Sequence, residues 1–142
     1  MAVKIDAGDQ KYFEEVKSLI DGKQIQLLGE VDAKTKAKLL GNATALLAPI
    51  QWEEPFGLYA IEAMACGTPV VGIGRGAFPE IIENGRNGFL AKDAAEMAKM
   101  VPLIKEINRR ACRLRVEKLF TVERMVNEYE TVYKKILQES RG

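Results

Sequence analysis

A chain of 142 residues, 47% hydrophobic and 29% charged, is sized and balanced for one folded domain with its own core, an ordinary globular protein rather than a disordered one. Its 21 Lys and Arg against 20 Asp and Glu leave a net charge of +1, so no bulk field recruits nucleic acid or an anionic membrane. The absence of histidine excludes the commonest general base, the usual metal ligand and every Ser-His or Cys-His nucleophile scheme.

In chain order, Val3–Ala7 is a short strand-like run ending at Gly8-Asp9. A helical pattern follows through Tyr12, Phe13, Val16, Leu19 and Ile20 and stops at Gly22. Ile25–Leu28 reads as a second strand ended by Gly29, and Thr35–Leu40 as a short helix closed by Gly41. Thr44–Ala48 is a continuous apolar strand ended by Pro49, Pro69–Ile73 another, and Gly88–Ala91 a last short one. The tail, about 94–138, is helical: it breaks or restarts at Pro102, and Thr121 caps a final helix with Val122, Met125, Val126, Tyr129, Val132, Tyr133 and Ile136 on one face. No opening apolar run reads as a signal peptide and no span approaches membrane length. The two cysteines, Cys66 and Cys112, share no metal-type spacing. A reduced, cytoplasmic setting is the expectation.

Apolar strands alternating with helices predict an α/β domain, a mostly parallel Rossmann-like sheet with helices on both faces, occupying 1–142 as a single unit. In such sheets ligands lie beyond the carboxyl ends of the strands, where helices present their N-termini. The segment after the strand 44–48 fits that place. Residues 54–66 read as an almost wholly apolar helix in which Glu62 is the only internal charge and Glu54 stands at the entrance. A helix without a polar face is normally buried, so Glu62 needs a hydrogen-bonding partner. Pro55 suits the first helical turn, Gly57 lets backbone approach a ligand, and the free N–H groups near 56–58 would favour a phosphate. Eight helical residues span about 12 Å, room for two acids that each take the hydroxyls of one sugar with a diphosphate between. The alternative is that Glu54 merely favours the helix dipole and Glu62 points into water.

Two further patterns are weaker. Gly72-Ile-Gly74-Arg-Gly76-Ala77 follows a strand and matches the dinucleotide pattern G-x-G-x-x-A, with Asp93 at a plausible distance. The stretch from Phe78 to Asn87 leaves under two helical turns, too little for a proper crossover helix, so a glycine-rich loop lining a pocket outweighs an NAD site. Arg109, Arg110, Arg113 and Arg115 form a basic cluster that reads first as a solvated face.

With these residues in view, the chain resembles the C-terminal, donor-binding half of GT-B fold glycosyltransferases, specifically family four, the group one transferases. The matching pieces run in order along nearly the whole chain: Gly8-Asp9, Leu28-Gly29-Glu30-Val31, Leu47-Ala48-Pro49, Glu54-Pro55-Phe56-Gly57-Leu58, Glu62-Ala63-Met64-Ala65-Cys66-Gly67-Thr68-Pro69-Val70-Val71, Pro79-Glu80-Ile81-Ile82, Asn84-Gly85 and Asn87-Gly88-Phe89-Leu90. The resemblance implies a retaining hexosyltransferase using a UDP-, ADP- or GDP-sugar, with neither metal nor cofactor. It implies that Glu54, as the catalytic-site acid, meets hydroxyls of the donor sugar and that Glu62 takes the ribose diol. Backbone N–H groups of Phe56, Gly57 and Leu58 would hold sugar and phosphate, and Val31 falls where the base pocket lies. Departing diphosphate would be stabilised electrostatically.

The family's domain begins with one more strand and loop, whose Arg and Lys clamp the diphosphate, and residues 1–10 do not present that pair. The N-terminal acceptor domain is also absent from the pattern. The expectation is a truncated domain that binds nucleotide weakly and transfers no sugar alone, peripheral to a membrane only in a full-length enzyme. Two alternatives stay open: a non-catalytic nucleotide-binding or assembly module needing a partner chain, and an NAD-binding domain. Loss of a central strand would open a gap between strands 3–7 and 44–48, closed either by direct pairing or by a homodimer through the open sheet edge.

Overall fold

The computed structural model describes residues 1, 5 and 7–140. It divides into two compact units, Met1–Lys38 and Leu39–Gly142. In the first unit a 3-10 turn over Ala7–Asp9 leads into helix α1, Gln10–Lys17. The strand expected over Val3–Ala7 falls mainly on residues outside those described. No strand forms over Ile25–Leu28, contrary to expectation. The Asp21 carboxylate accepts the N–H groups of Ile25 at 2.9 Å and Lys23 at 2.8 Å, which draws the start of the run into a bend and keeps the Asp21 carboxyl below its ordinary range, while the Leu28 N–H donates to the Met1 carbonyl at 2.8 Å. Helix α2, Ala33–Asn42, starts where Asp32 accepts the Thr35 N–H and continues through Gly41, where a stop was expected.

The second unit holds a three-stranded parallel sheet in the order β1 (Leu46–Ala48), β2 (Val70–Ile73), β3 (Gly88–Ala91). Leu46 pairs with Val70, and Val70 in turn with Gly88. The sheet can close this tightly because residue 88 is glycine: a Cβ there would stand 2.0 Å from the Val70 carbonyl oxygen. Alternate residues of β2 feed two cores, as a period of two requires. Val70 joins Ala60, Ala63, Met64, Phe78, Ile81 and Cys112 on one face, and Val71 and Ile73 join Ala91, Met97 and Ile104 on the other. The strands are apolar throughout because both faces are covered.

Helix α3 (Leu58–Ala65) follows β1, the single turn α4 (Phe78–Ile81) follows β2, and α5 (Ala94–Met100) follows β3. A 3-10 segment, Val101–Glu106, carries Pro102 at the expected break and leads to α6, Arg109–Leu119. Thr121 accepts the Arg124 N–H and caps α7, Val122–Glu139. The helical tail is therefore as expected. Two arginines of the basic cluster do more than face solvent. Arg109 donates to the carbonyls of Ala43 (2.7 Å) and Gly41 (2.8 Å) and to Thr68 Oγ1, which itself donates to the Leu40 carbonyl. Arg115 donates to the carbonyls of Ile81 (2.7 Å) and Glu80 (2.6 Å) and pairs with Glu83 at 2.8 Å, with its side chain only 16% exposed. Both fasten α6 to carbonyls at the C-terminal ends of α2 and α4, which the helices themselves leave without intrahelical donors.

The paired motif Asn84-Gly85 and Asn87-Gly88 is likewise architectural. Buried Asn87 donates to the Ile81 carbonyl and accepts the Glu83 N–H, while Asn84 accepts the Leu90 N–H. Among the described residues no helix is long and apolar enough to cross a membrane.

Candidate functional site

Two loops meet beyond the carboxyl ends of β1 and β2, the place where parallel sheets present ligands. The first, 49–57, leaves β1; the second, 74–77, leaves β2. Gly76 donates its N–H to Glu53 Oε2 at 2.7 Å, Ala77 donates to the Glu54 carbonyl at 2.8 Å, and Arg75 Nη1 donates to the Gln51 carbonyl at 2.9 Å. Gly76 has φ 54°, and a Cβ on it would lie 2.2 Å from the Glu54 carbonyl oxygen and 2.4 Å from its nitrogen. The glycine-rich loop is thus a clamp on the backbone of Glu54, with no room over Gly76 for a pyrophosphate. Asp93, the acid expected of a dinucleotide site, instead caps α5: its Oδ1 accepts the Glu96 N–H at 2.8 Å while Glu96 accepts the Lys92 N–H.

Helix α3 begins at Leu58, four residues later than the sequence suggests, so Glu54, Pro55 and Phe56 lie outside it. Gly57 is the reason. It takes a left-handed conformation with φ 76°, and a Cβ there would stand 3.0 Å from Phe78 Cε1 and 3.1 Å from Ile81 Cδ1. A helical rise therefore does not set the spacing between the two acids. Helix α3 also has two faces. Ala60, Ile61, Ala63 and Met64 are buried, whereas Leu58, Tyr59 and Glu62 lie on the other side, and Glu62 is half-buried with an interaction inside the chain. The fully buried carboxylate expected there is not found, because packing against the sheet and α6 covers only one side of the helix.

The half-buried Glu54 carboxylate is held from three directions. Oε1 accepts the Gly57 N–H at 3.1 Å, and Oε2 accepts from Trp52 Nε1 at 3.3 Å and from the Tyr59 hydroxyl at 3.4 Å. It stands at the positive end of α3, where negative charge is favoured, and does for the helix what the capping residue Gly57 cannot. Tyr59 also meets Phe78 edge-on, with ring centroids 6.0 Å apart. Burial, then the charge of Glu54 and its hydrogen bond, push the Tyr59 hydroxyl up to about 12. A group held protonated above its ordinary 10.0 stabilises the fold fully below that pH and loses the contribution as pH rises from 10 toward 12. Phenolate absorbance should therefore show a late step near pH 12 that disappears in Tyr59→Phe.

Of the residues singled out by sequence, Glu54, Phe56, Gly57 and Leu58 come together in one turn, and Glu62 follows one helical turn after Leu58, about 6 Å along the axis. Val31 is half-buried in the first unit. Sequence reasoning missed Trp52, Tyr59 and Glu53 and the clamping role of Gly76. Gly76 stood in a motif already singled out, but its partner lies 23 positions upstream. Phe56 and Leu58 are exposed and, with Ile61, Phe120, Met125 and Tyr129, line an apolar cavity of about 450 Å³ beside this turn.

Comparison with known proteins adds relatives to this geometry. The family described as "Glycosyl transferases group 1" matches residues 5–115. N-acetyl-alpha-D-glucosaminyl L-malate synthase of Bacillus anthracis is 32% identical over 136 residues, covering 89% of this chain and 35% of its own length. Phosphatidyl-myo-inositol mannosyltransferase of Mycobacterium leprae is 35% identical over 117 residues, covering 69% of this chain and 31% of its own. The solved structure of sucrose-phosphate synthase from Thermosynechococcus elongatus superposes with a TM-score of 0.78 at 26% identity, covering 97% of this chain and 38% of that one. The chain thus spans about a third of the length of the curated relatives it matches.

Proposed function

The chain belongs to the glycosyl transferases group 1 family, with the GT-B fold, and from that premise we propose that it is the donor-binding part of a retaining glycosyltransferase moving a hexose from a nucleoside-diphosphate sugar to an acceptor held elsewhere. The observation that carries this reading is the Glu54 carboxylate, clamped by its backbone to the 74–77 loop and poised at the N-terminus of α3. In this reading Glu54 is the catalytic-site acid and meets hydroxyls of the donor sugar, Glu62 takes the ribose diol, and the N–H groups of Phe56, Gly57 and Leu58 hold sugar and diphosphate. Glu54 now occupies the Gly57 N–H, so donor binding exchanges partners: phosphate takes the N–H and the carboxylate turns to the sugar. The donor is a UDP-, ADP- or GDP-sugar, and neither metal nor other cofactor takes part. The setting is cytoplasmic. The chain alone binds donor weakly without transferring sugar, because the acceptor is held elsewhere and residues 1–10 do not present the Arg and Lys with which the family clamps the diphosphate.

A second reading, a non-catalytic nucleotide-binding or assembly module working with a partner chain, is favoured by one observation: no residue of α7 is buried. Calorimetric titration with UDP, ADP, GDP and NAD, repeated with the favoured nucleotide's hexose conjugate, tests both. Saturable binding of one nucleoside diphosphate is expected. Glu62→Ala should weaken it about ten- to hundred-fold, the loss expected when hydrogen bonds to a charged group are removed. Glu54→Gln should leave the nucleotide affinity and lower only that of the nucleotide-sugar. Binding of NAD alone would overturn the first reading, and no binding at all would favour the second.

A further inference from the structure

The two oxygens of the Glu54 carboxylate keep different company. Oε1 accepts backbone donors, the Gly57 N–H at 3.1 Å and the Phe56 N–H at 3.5 Å. Oε2 accepts side-chain donors, the Trp52 indole N–H at 3.3 Å and the Tyr59 hydroxyl at 3.4 Å. The Phe56 and Gly57 N–H groups are the ones the donor-site reading gives to sugar and diphosphate. On that reading, which this inference presupposes, an arriving donor strips Oε1 of both partners and leaves those of Oε2 in place.

A carboxylate released on one side and unsupported on the other would swing into water, because an unbonded glutamate regains its rotamer freedom. Here the other side is anchored. Tyr59 is the second residue of α3, and its ring lies edge-on against the buried Phe78. Burial and then the charge of Glu54 push its hydroxyl up to about 12, so it stays a donor throughout the neutral range. Trp52 is carried by the loop that Gly76 and Ala77 clamp at Glu53 and Glu54. We propose that Tyr59 and Trp52 are positioning residues: they pin Oε2 while the donor displaces Oε1 from the backbone, so that the carboxylate pivots about Oε2 and presents Oε1 to a hydroxyl of the donor sugar. Both act through Glu54, so they set the affinity that the sugar adds and leave that of the nucleotide. Such a support favours binding by reducing what must be ordered when the ligand arrives.

NMR titrations of the full chain with UDP, ADP and GDP, each beside its glucose and mannose conjugates, measure the sugar's added affinity as a ratio. Tyr59→Phe keeps the ring and its contact with Phe78, and should cut that ratio about three- to tenfold with nucleotide affinity unmoved. Trp52→Phe, at a residue 60% exposed and so without cost to the core, should cut it similarly. In a Glu54→Ala background neither substitution should cut it further, since both act through one carboxylate. Circular dichroism confirms that each variant keeps its helices. The chain has one tryptophan and therefore one indole N–H resonance. Exchange of that proton with water should quicken in Glu54→Ala and stay slow when the conjugate saturates the natural chain. With nucleotide binding intact, a ratio near one in the natural chain or a ratio indifferent to both substitutions overturns this proposal alone. So do losses that persist in Glu54→Ala, or indole exchange that quickens on saturation. A chain that binds none of the nucleotides overturns the donor-site reading and the pivot with it.

Discussion

Phe78→Ala should destabilise the second unit by about 3–5 kcal/mol, the range for removing a buried phenylalanine ring. Phe78 has no exposed surface and is the first residue of α4. Two glycines make its space. A Cβ on Gly72 would stand 2.5 Å from ring atoms Cδ2 and Cε2, and one on Gly57 would stand 3.0 Å from Cε1. The ring is therefore packed from β2 on one side and from the turn before α3 on the other, with Tyr59 edge-on. Its removal empties the space that joins the sheet to the candidate site. Domains of this size are held by only about 5–15 kcal/mol, so the variant should approach the limit of folding. Urea unfolding should show a lower midpoint at unchanged slope. A second substitution gives a sharper reading: Gly72→Ala should be costly in the natural chain and nearly free once Phe78 is alanine, because the two share one volume. Equal cost in both backgrounds would sink this account of the packing.

Gly76→Ala is expected to be the most damaging small change at the site. The added methyl would lie within 2.8 Å of three backbone atoms of Glu54, and backbone cannot swing aside as a flexible side chain can. Position 76 also has φ 54°, which costs an alanine about 1–2 kcal/mol before any contact is counted. Together these should remove about 2–4 kcal/mol of stability. The 52–57 loop must move away from the 74–77 loop, stretching the Gly76–Glu53 and Ala77–Glu54 hydrogen bonds and carrying the Glu54 carboxylate off its donors. Donor-sugar affinity should fall with it. Gly74→Ala is the control, since a Cβ there meets only Leu90 Cβ at 3.8 Å and the Ala91 carbonyl at 3.9 Å. Thermal unfolding and a nucleotide-sugar titration on the two variants give the comparison. Equal behaviour of both would show that the clamp does not position Glu54.

These two residues also show how far the sequence could be read. Phe78 was legible as an apolar residue in a short segment between strands, and the segment's shortness correctly argued against a crossover helix. Its contact with Gly57 was not legible, and that contact is what moves the start of α3. Pro55 followed by Gly57 looks, locally, like a helix opening. The left-handed turn at Gly57 depends on side chains twenty-one and twenty-four positions away that occupy the place of its missing Cβ. The failed strand at Ile25–Leu28 has a nearer cause. Asp21 takes the Lys23 and Ile25 N–H groups and so bends the start of the run, leaving only its last residues to bond with the chain's first residue. The fastening roles of Arg109 and Arg115 were not legible because the carbonyls they hold lie tens of residues away.

By itself the sequence determined the alternation of apolar strands with helices, the parallel sheet they imply, the helical tail with its Thr121 cap, the ordered motifs of the family and the presence of two acids in the segment after the first strand of the sheet. All of these follow from local periodicity or from residues close together in the chain. Only the tertiary structure decided which groups hold the Glu54 carboxylate, that a glycine-rich loop clamps its backbone, that Glu62 lies on the half-covered side of α3, and that the face of α7 is left open. Each of these depends on atoms distant in sequence and close in space, and a linear pattern carries no record of which distant residue fills the space a glycine leaves.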